Sequence, residues 1–335
     1  MGKSNTFLAR REFLPATERV LWVDALRGVV IIVIIVMHGT IIGFTHVSDR
    51  WWIDFFDRVL IPVRMPLMMF LAGLLIPHSL ARGTGRFLFN KTRYLLYPYL
   101  IWSVISLVVV ATGKLLGGLD APINPLDILV SPRFHLWFVS YLFVFCVAAA
   151  ILRRIHPLAS ALGALAIACV WPEQDWHRLW ISFCFFLLGI SATRLSVLWP
   201  RIVGSRASLW LVPFVGLSLV ASALVSDTSS LTPLTVPLGV GGIIAACALA
   251  ARFTHRKIFA PFASVGRDSI VYYLAHYVVI RMLCIVLIDR LGWPPAMGVT
   301  LSVALTLLIC RALVIASRRY SLVKSLFQLP TRSRG

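Results

Sequence analysis

Val20-Leu-Trp-Val-Asp-Ala-Leu-Arg-Gly-Val-Val-Ile-Ile-Val-Ile-Ile-Val-Met-His-Gly-Thr-Ile-Ile-Gly-Phe44 is a run of 25 residues with only three ionisable side chains, Asp24, Arg27 and His38. About 20 mostly apolar residues in a helix cross the hydrocarbon core of a bilayer. Lys3, Arg10 and Arg11 precede the run, as basic residues precede a secretion signal. The polar residues inside it and the lack of a small-residue cleavage site argue instead for a retained first membrane helix.

The rest of the chain repeats this pattern. Its 335 residues are 59% hydrophobic and 13% charged, with a mean hydropathy of +0.87. A water-soluble fold of that length could not hide so much apolar surface, so lipid must be the solvent. Further apolar runs cover residues 55–80, 87–113, 134–152, 158–171, 176–195, 207–225, 233–251, 268–289 and 296–317. Only helices or closed barrels satisfy their backbone in lipid, and runs of this length predict an all-α bundle of about ten transmembrane helices. The fifth run is short, set between Pro157 and Pro172. No repeat or linker divides the chain. We expect a membrane domain over 20–317, a cytoplasmic segment over 1–19 and a basic cytoplasmic tail over 318–335, with no appended soluble domain.

The net charge of +19 would suggest nucleic acid in a soluble protein. Here the basic residues fall in alternate connections, which is how orientation in a membrane and contact with anionic lipid are encoded. Arg10, Arg11 and Arg19 precede the first run, and Arg82, Arg86, Lys91 and Arg93 separate the second from the third. Arg153 and Arg154, then Arg194, Arg201 and Arg206, then Arg252, Arg256, Lys257 and Arg267, and finally Arg318, Arg319, Lys324, Arg332 and Arg334 continue the series. The intervening connections carry Asp49, Asp54, Asp57, Asp120, Asp127, Glu173, Asp175, Asp227 and Asp289. This alternation predicts both termini in the cytoplasm, an even number of helices, and a fifth run that crosses. Nucleic acid is not an expected partner.

The six cysteines all lie in apolar runs and form no CxxC pair, so they read as small core residues, with no metal site expected. There is no GxxxxGK[ST] phosphate loop, no HExxH and no GxSxG.

Ionisable groups at membrane depth are costly, about 2.5–3.5 kcal/mol for Arg or Asp on insertion scales, so each demands a reason. Arg27 and His38 are eleven residues apart, which on a helix brings them within about 20° of one face and roughly 16 Å apart in depth. Asp24 falls about 40° to the other side of His38. A guanidinium at the cytoplasmic mouth can hold a phosphate or a thioester carbonyl. A neutral imidazole near the midplane can take a proton from a hydroxyl. A packing histidine and a snorkelling arginine explain the same residues equally well.

Arg64, between Pro62 and Pro66, should face a polar cavity or pair with an acid. Lys91 and Arg93, amid Tyr94, Tyr97 and Tyr99, can grip the phosphates of a nucleotide-bearing donor or simply anchor the interface. His135 and Trp137 open the fourth run on the outer side, as acceptor-site or aromatic-belt residues. His276, following Tyr272 and Tyr273, reads as a donor-side ligand or a satisfied core histidine, nearer the cytoplasmic face than His38.

Several of these stretches together resemble the acyltransferase-3 family of integral membrane O-acyltransferases. They are Val23-Asp-Ala-Leu-Arg-Gly28 with His38, Phe70-Leu-Ala-Gly-Leu-Leu75, Lys91-Thr-Arg-Tyr-Leu-Leu-Tyr-Pro98, His135-Leu-Trp-Phe-Val139, Phe185-Phe-Leu-Leu-Gly189 and Ser269-Ile-Val-Tyr-Tyr-Leu-Ala-His276, in family order over most of the chain. Where the family often has Ser before the second-helix Gly, this chain has Ala72; where it often has paired arginines, Asn90 and Lys91 stand before Arg93.

The resemblance implies a ten-helix acyltransferase that commonly uses acetyl-CoA to acylate sugars, lipopolysaccharide, peptidoglycan, exopolysaccharides or antibiotics. His38 would be the essential histidine and Arg27 its essential partner. The expected reaction is O-acylation, most simply O-acetylation. An acyl group passes from cytoplasmic acyl-CoA, as co-substrate, to a hydroxyl of a glycan or lipid-linked sugar in polysaccharide modification at the bacterial cytoplasmic membrane. No bound cofactor is expected. His38 acts as base, with Asp24 or Arg64 tuning or orienting that site; Arg64, Lys91, Arg93 and His276 form the donor side, and His135 and Trp137 the acceptor side. A transporter of a lipid or small anion is the rival reading, since such proteins also carry midplane ionisable residues, although they often show two matched halves. A non-catalytic scaffold would leave the Arg27–His38 stripe without a purpose.

Overall fold

The computed structural model describes residues 21–116, 134–171, 173–195, 197–225, 231–253 and 257–330. The expectations for Lys3, Arg10, Arg11, Arg19, Asp120, Asp127, Asp227, Arg256, Arg332 and Arg334, and for the 1–19 segment, concern residues outside these.

Every one of the ten apolar runs contains a helix, and the described residues contain no strand. The helices are α1 (Leu21–Gly43), α2 (Trp51–Gly73), α3 (Ile76–Leu80), α4 (Thr84–Lys91), α5 (Tyr97–Leu116), α6 (Trp137–Ile151), α7 (Pro157–Val170) and α8 (Gln174–Arg194). They continue as α9 (Leu198–Gly204), α10 (Ala207–Val225), α11 (Val236–Phe253), α12 (Ala260–Arg267), α13 (Ser269–Cys284), α14 (Pro295–Arg319) and α15 (Ser321–Ser325). Residues 29–36 of α1 are all Val or Ile, a composition that favours strands in water. In lipid each backbone N–H and C=O must be satisfied within the segment, and that constraint imposes the helix.

Among the described residues eight helices are long and apolar enough to cross a membrane, or nine if α8 and α9, bent by 104°, make one span. The protein is therefore a multi-pass, all-α membrane protein. The fifth run is the helix α7 of 14 residues, about 21 Å long at 1.5 Å per residue, shorter than the roughly 30 Å hydrocarbon core.

The chain forms two compact units that interleave in sequence. One comprises Met1–Ile34, Ser48–Gly83 and Ala148–Arg267; the other comprises Ile35–Val47, Thr84–Val147 and Asp268–Gly335.

In the first unit small residues let backbones touch, as membrane helices require when lipid offers no hydrophobic drive to association. α2 meets α8 at Gly73 and Gly189. A methyl on Gly73 would run into the Phe186 carbonyl, and one on Gly189 into the Phe70 carbonyl. α1 meets α12 in the same way, with Gly28 against the Phe262 carbonyl and Gly266 against the Asp24 carbonyl. Pro62 and Pro66 both lie inside α2. Pro66 has no N–H, so the Pro62 carbonyl loses its helical partner. Gly239 of α11 packs there, so close that a methyl on it would stand 2.8 Å from that oxygen.

In the second unit the end of α1 lies against α13 and α14. A methyl on Gly39 would stand 2.6 Å from Ile280 Cδ1 and 3.1 Å from Val303 Cγ2. Asp268, at the N-cap of α13, accepts two 2.9 Å hydrogen bonds from Arg318 Nη2 near the end of α14. Between α4 and α5 the helix widens to a π-turn over Thr92–Leu96. Pro98 follows at once and cannot donate to the carbonyl four residues back, which the wider turn accommodates. After α15 the chain returns to this turn. Leu329 N donates to the Arg93 carbonyl at 3.1 Å, Trp102 Nε1 donates to the Leu326 carbonyl at 3.0 Å, and the rings of Trp102 and Phe327 stand 5.5 Å apart.

Candidate functional site

Three histidines gather in the second unit. α13 carries Tyr273, His276 and Tyr277 at positions i, i+3 and i+4, which share a helical face. The 3₁₀ turn Phe134–Leu136 that leads into α6 carries His135. The last third of α1 carries His38. The His38 ring lies 5.4 Å from that of His276 and edge-on to Tyr277 at 5.3 Å, centre to centre. The His135 ring lies 4.9 Å from His276 and stacks on Tyr277 at 4.9 Å. Tyr273 OH donates to the His135 carbonyl.

Hydrogen bonds fix two of the tautomers. His276 Nδ1 stands 3.0 Å from the Tyr272 carbonyl and 2.8 Å from the Tyr273 carbonyl. Carbonyls only accept, so Nδ1 carries the hydrogen and Nε2 of the neutral ring holds a free lone pair. His135 Nε2 stands 3.2 Å from the Leu274 carbonyl, which by the same reasoning leaves its Nδ1 as the lone-pair nitrogen. His276 is 0% and His135 3% exposed, and neither lone-pair nitrogen has a hydrogen-bond partner. A buried acceptor left unsatisfied costs about 1–3 kcal/mol, so one on each of two neighbouring rings is a costly arrangement for packing alone. His38 is only half-buried, the most open ring of the three. Among the described residues no group of three or more His, Cys, Asp or Glu is arranged to hold a metal ion.

The sequence expectation set His135 and His276 on opposite sides of His38, one outer and one inner. The structure makes both neighbours in one cluster, with the His135 side chain buried. Tyr277, stacked on one histidine and edge-on to another, escaped the sequence reading. Its adjacency to His276 after a Tyr-Tyr pair was the available signal.

The other expected residues are placed elsewhere. α1 is unbroken from Leu21 to Gly43, so Asp24, Arg27 and His38 keep their predicted angular spacing. Asp24 is buried at 6% exposure. Arg27 Nη2 donates to the Leu71 carbonyl of α2 at 3.2 Å. Arg64 forms an ion pair with Asp57 at 2.9 Å, their side chains 13% and 16% exposed; of the two alternatives the sequence left open, the acid partner is present. Lys91 Nζ lies 5.3 Å over the Phe87 ring. Arg93 Nε donates to the Leu329 carbonyl at 2.9 Å, and its guanidinium lies 5.1 Å over the Tyr94 ring. This basic residue therefore clamps the returning tail, a contact its sequence neighbours do not announce. Trp137 sits edge-on to Tyr141 at 5.4 Å.

Two neutral imidazoles with presented lone pairs beside a third, half-open one form an array that can accept and hold protons from a bound hydroxyl. No curated protein and no solved structure matches the chain. A family model described as an acyltransferase domain matches residues 20–315. That match spans most of the sequence and every helix from α1 to α13, and it shows that this membrane protein belongs to the acyltransferase-3 family and is an acyltransferase.

Proposed function

We propose that the protein transfers an acyl group, most simply acetyl, from acyl-CoA to a hydroxyl of a glycan or glycolipid at the bacterial cytoplasmic membrane, with His38 as general base. The observation that carries this reading is the position of His38, the half-open member of a buried histidine cluster.

The acceptor hydroxyl gives its proton to His38 as its oxygen attacks the thioester carbonyl. The new C–O bond forms, the C–S bond breaks, and the thiolate of CoA leaves and takes a proton. The products are an ester and free CoA thiol. Arg27, on the same helix, fits the task of holding a donor phosphate or the thioester carbonyl, and Asp24 that of tuning it. Lys91 serves donor phosphates from the start of the π-turn. Arg64 and Arg93 serve the donor with the N–H groups left over from their bonds to Asp57 and Leu329. His135 supports an acceptor site from within the cluster, and Trp137 from the start of α6.

The test is consumption of acetyl-CoA by the purified protein in nanodiscs with added glycan acceptors. His38→Ala should lower turnover by about 10²–10⁴-fold, the range for a positioned general base. Equal turnover in the variant removes His38 from the role.

A further inference from the structure

Resting on the assignment of His38 as base, we propose that His276 is a second proton station, which receives through Nε2 the proton that His38 takes from the acceptor hydroxyl and returns it for the departing thiolate. Four observations support it. The two rings are adjacent, at 5.4 Å between centres, a spacing that one hydroxyl or water can bridge. The Nε2 nitrogen of His276 is buried, unprotonated and without a partner. The ring is held in that tautomer by two carbonyls at once. Those carbonyls also offset part of the cost of holding a cation in a buried ring, because an N–H of an imidazolium makes a stronger, charge-assisted bond to the same acceptors.

The sequence of proton moves balances. The acceptor O–H proton goes to His38. His38, now carrying two N–H groups, passes one to His276 Nε2. His276 then holds the charge with Nδ1–H still on the Tyr272 and Tyr273 carbonyls. On C–S cleavage the proton travels back through His38 to the thiolate, and both rings end neutral.

Among the described residues, the rings that face this pair in the second unit are those of His135, Tyr273 and Tyr277. His135 limits the array to one proton, since a second cation 4.9 Å from the first is strongly disfavoured in a buried setting. Tyr277, in contact with both His38 and His135, acts as a positioning residue.

The experiment uses the full-length protein and two replacements of different chemistry. His276→Asn keeps an N–H donor for the Tyr272 and Tyr273 carbonyls but has nothing at the Nε2 position. His276→Gln reaches that position with an amide oxygen that can accept a hydrogen bond but cannot hold a proton. Both are checked for monodispersity and thermal midpoint, then assayed for kcat, KM for acetyl-CoA and the pH dependence of kcat.

The proposal expects kcat to fall at least about tenfold in both, with KM for acetyl-CoA unchanged and the acid limb of kcat moved to lower pH. The limb moves that way because a lone His38 holds the first proton less tightly than a shared pair. Full recovery of kcat in His276→Gln overturns the proposal, since an acceptor alone would then suffice. An unmoved pH limb in His276→Asn overturns it as well, and with His38→Ala still inactive the base assignment survives. Turnover retained in His38→Ala sinks both together.

Discussion

Gly73 and Gly189 give the sharpest test of how this bundle is held. A methyl on either would strike a main-chain carbonyl of the facing helix, Phe186 or Phe70, and would stand 3.2 Å or 3.1 Å from the opposite glycine Cα. A carbonyl in a helix cannot rotate aside, so α2 and α8 must part by on the order of 1 Å, and a gap of about 0.5–1 Å forfeits a quarter to a half of the dispersion energy across it. The residues that would lose it are fully packed: Phe70, Leu71, Phe185, Phe186 and Leu187 are 0–3% exposed. Gly73→Ala and Gly189→Ala should each cost about 1–3 kcal/mol, as overpacking does. The double variant should cost less than the sum, because both methyls force the same separation. Gly163, inside α7, has no atom within 4 Å of an added methyl, so Gly163→Ala should instead stabilise by about 0.5–1 kcal/mol through backbone entropy alone. Thermal unfolding in a single detergent, followed by tryptophan fluorescence, reads all four variants. At about 2–4 °C per kcal/mol, Gly73→Ala and Gly189→Ala should melt several degrees early and Gly163→Ala slightly late. Midpoints of Gly73→Ala and Gly189→Ala within about 1 °C of the parent, or an equal loss at Gly163, would refute backbone contact as the source of this packing.

Breaking the half-buried Arg64–Asp57 pair from one side should destabilise by up to about 3–5 kcal/mol, whereas replacing both with Met and Leu should recover most of it; midpoints of Arg64→Met, Asp57→Leu and the double variant decide this, and additive losses would contradict it. Phe327→Ala should loosen the tail from Trp102 and cost about 3–5 kcal/mol if the site stays closed, less if the tail simply lifts. Limited proteolysis after Lys324 then separates the cases, with faster cleavage expected and unchanged cleavage excluding a released tail.

The class of this protein was written in single segments. Whether a run of residues such as 20–44 enters lipid depends on its own hydropathy, and once there its backbone has one way to satisfy itself. For that reason all ten runs proved helical, and Asp24, Arg27 and His38 kept their spacing on α1. Even the shortness of α7 was visible between its prolines.

Partnership is different, because lipid is as apolar as the side chains it surrounds and hydropathy does not say which helix face meets which. Only the tertiary structure brought Gly73 to Gly189, returned Leu329 to Arg93, and set His135, in the turn before α6, against the ring of His276. Each of these is a contact between segments far apart in the chain, decided by where small residues let backbones approach and by which buried polar atoms find one another. The sequence named the histidines; the packing of α1, α6 and α13 made them neighbours.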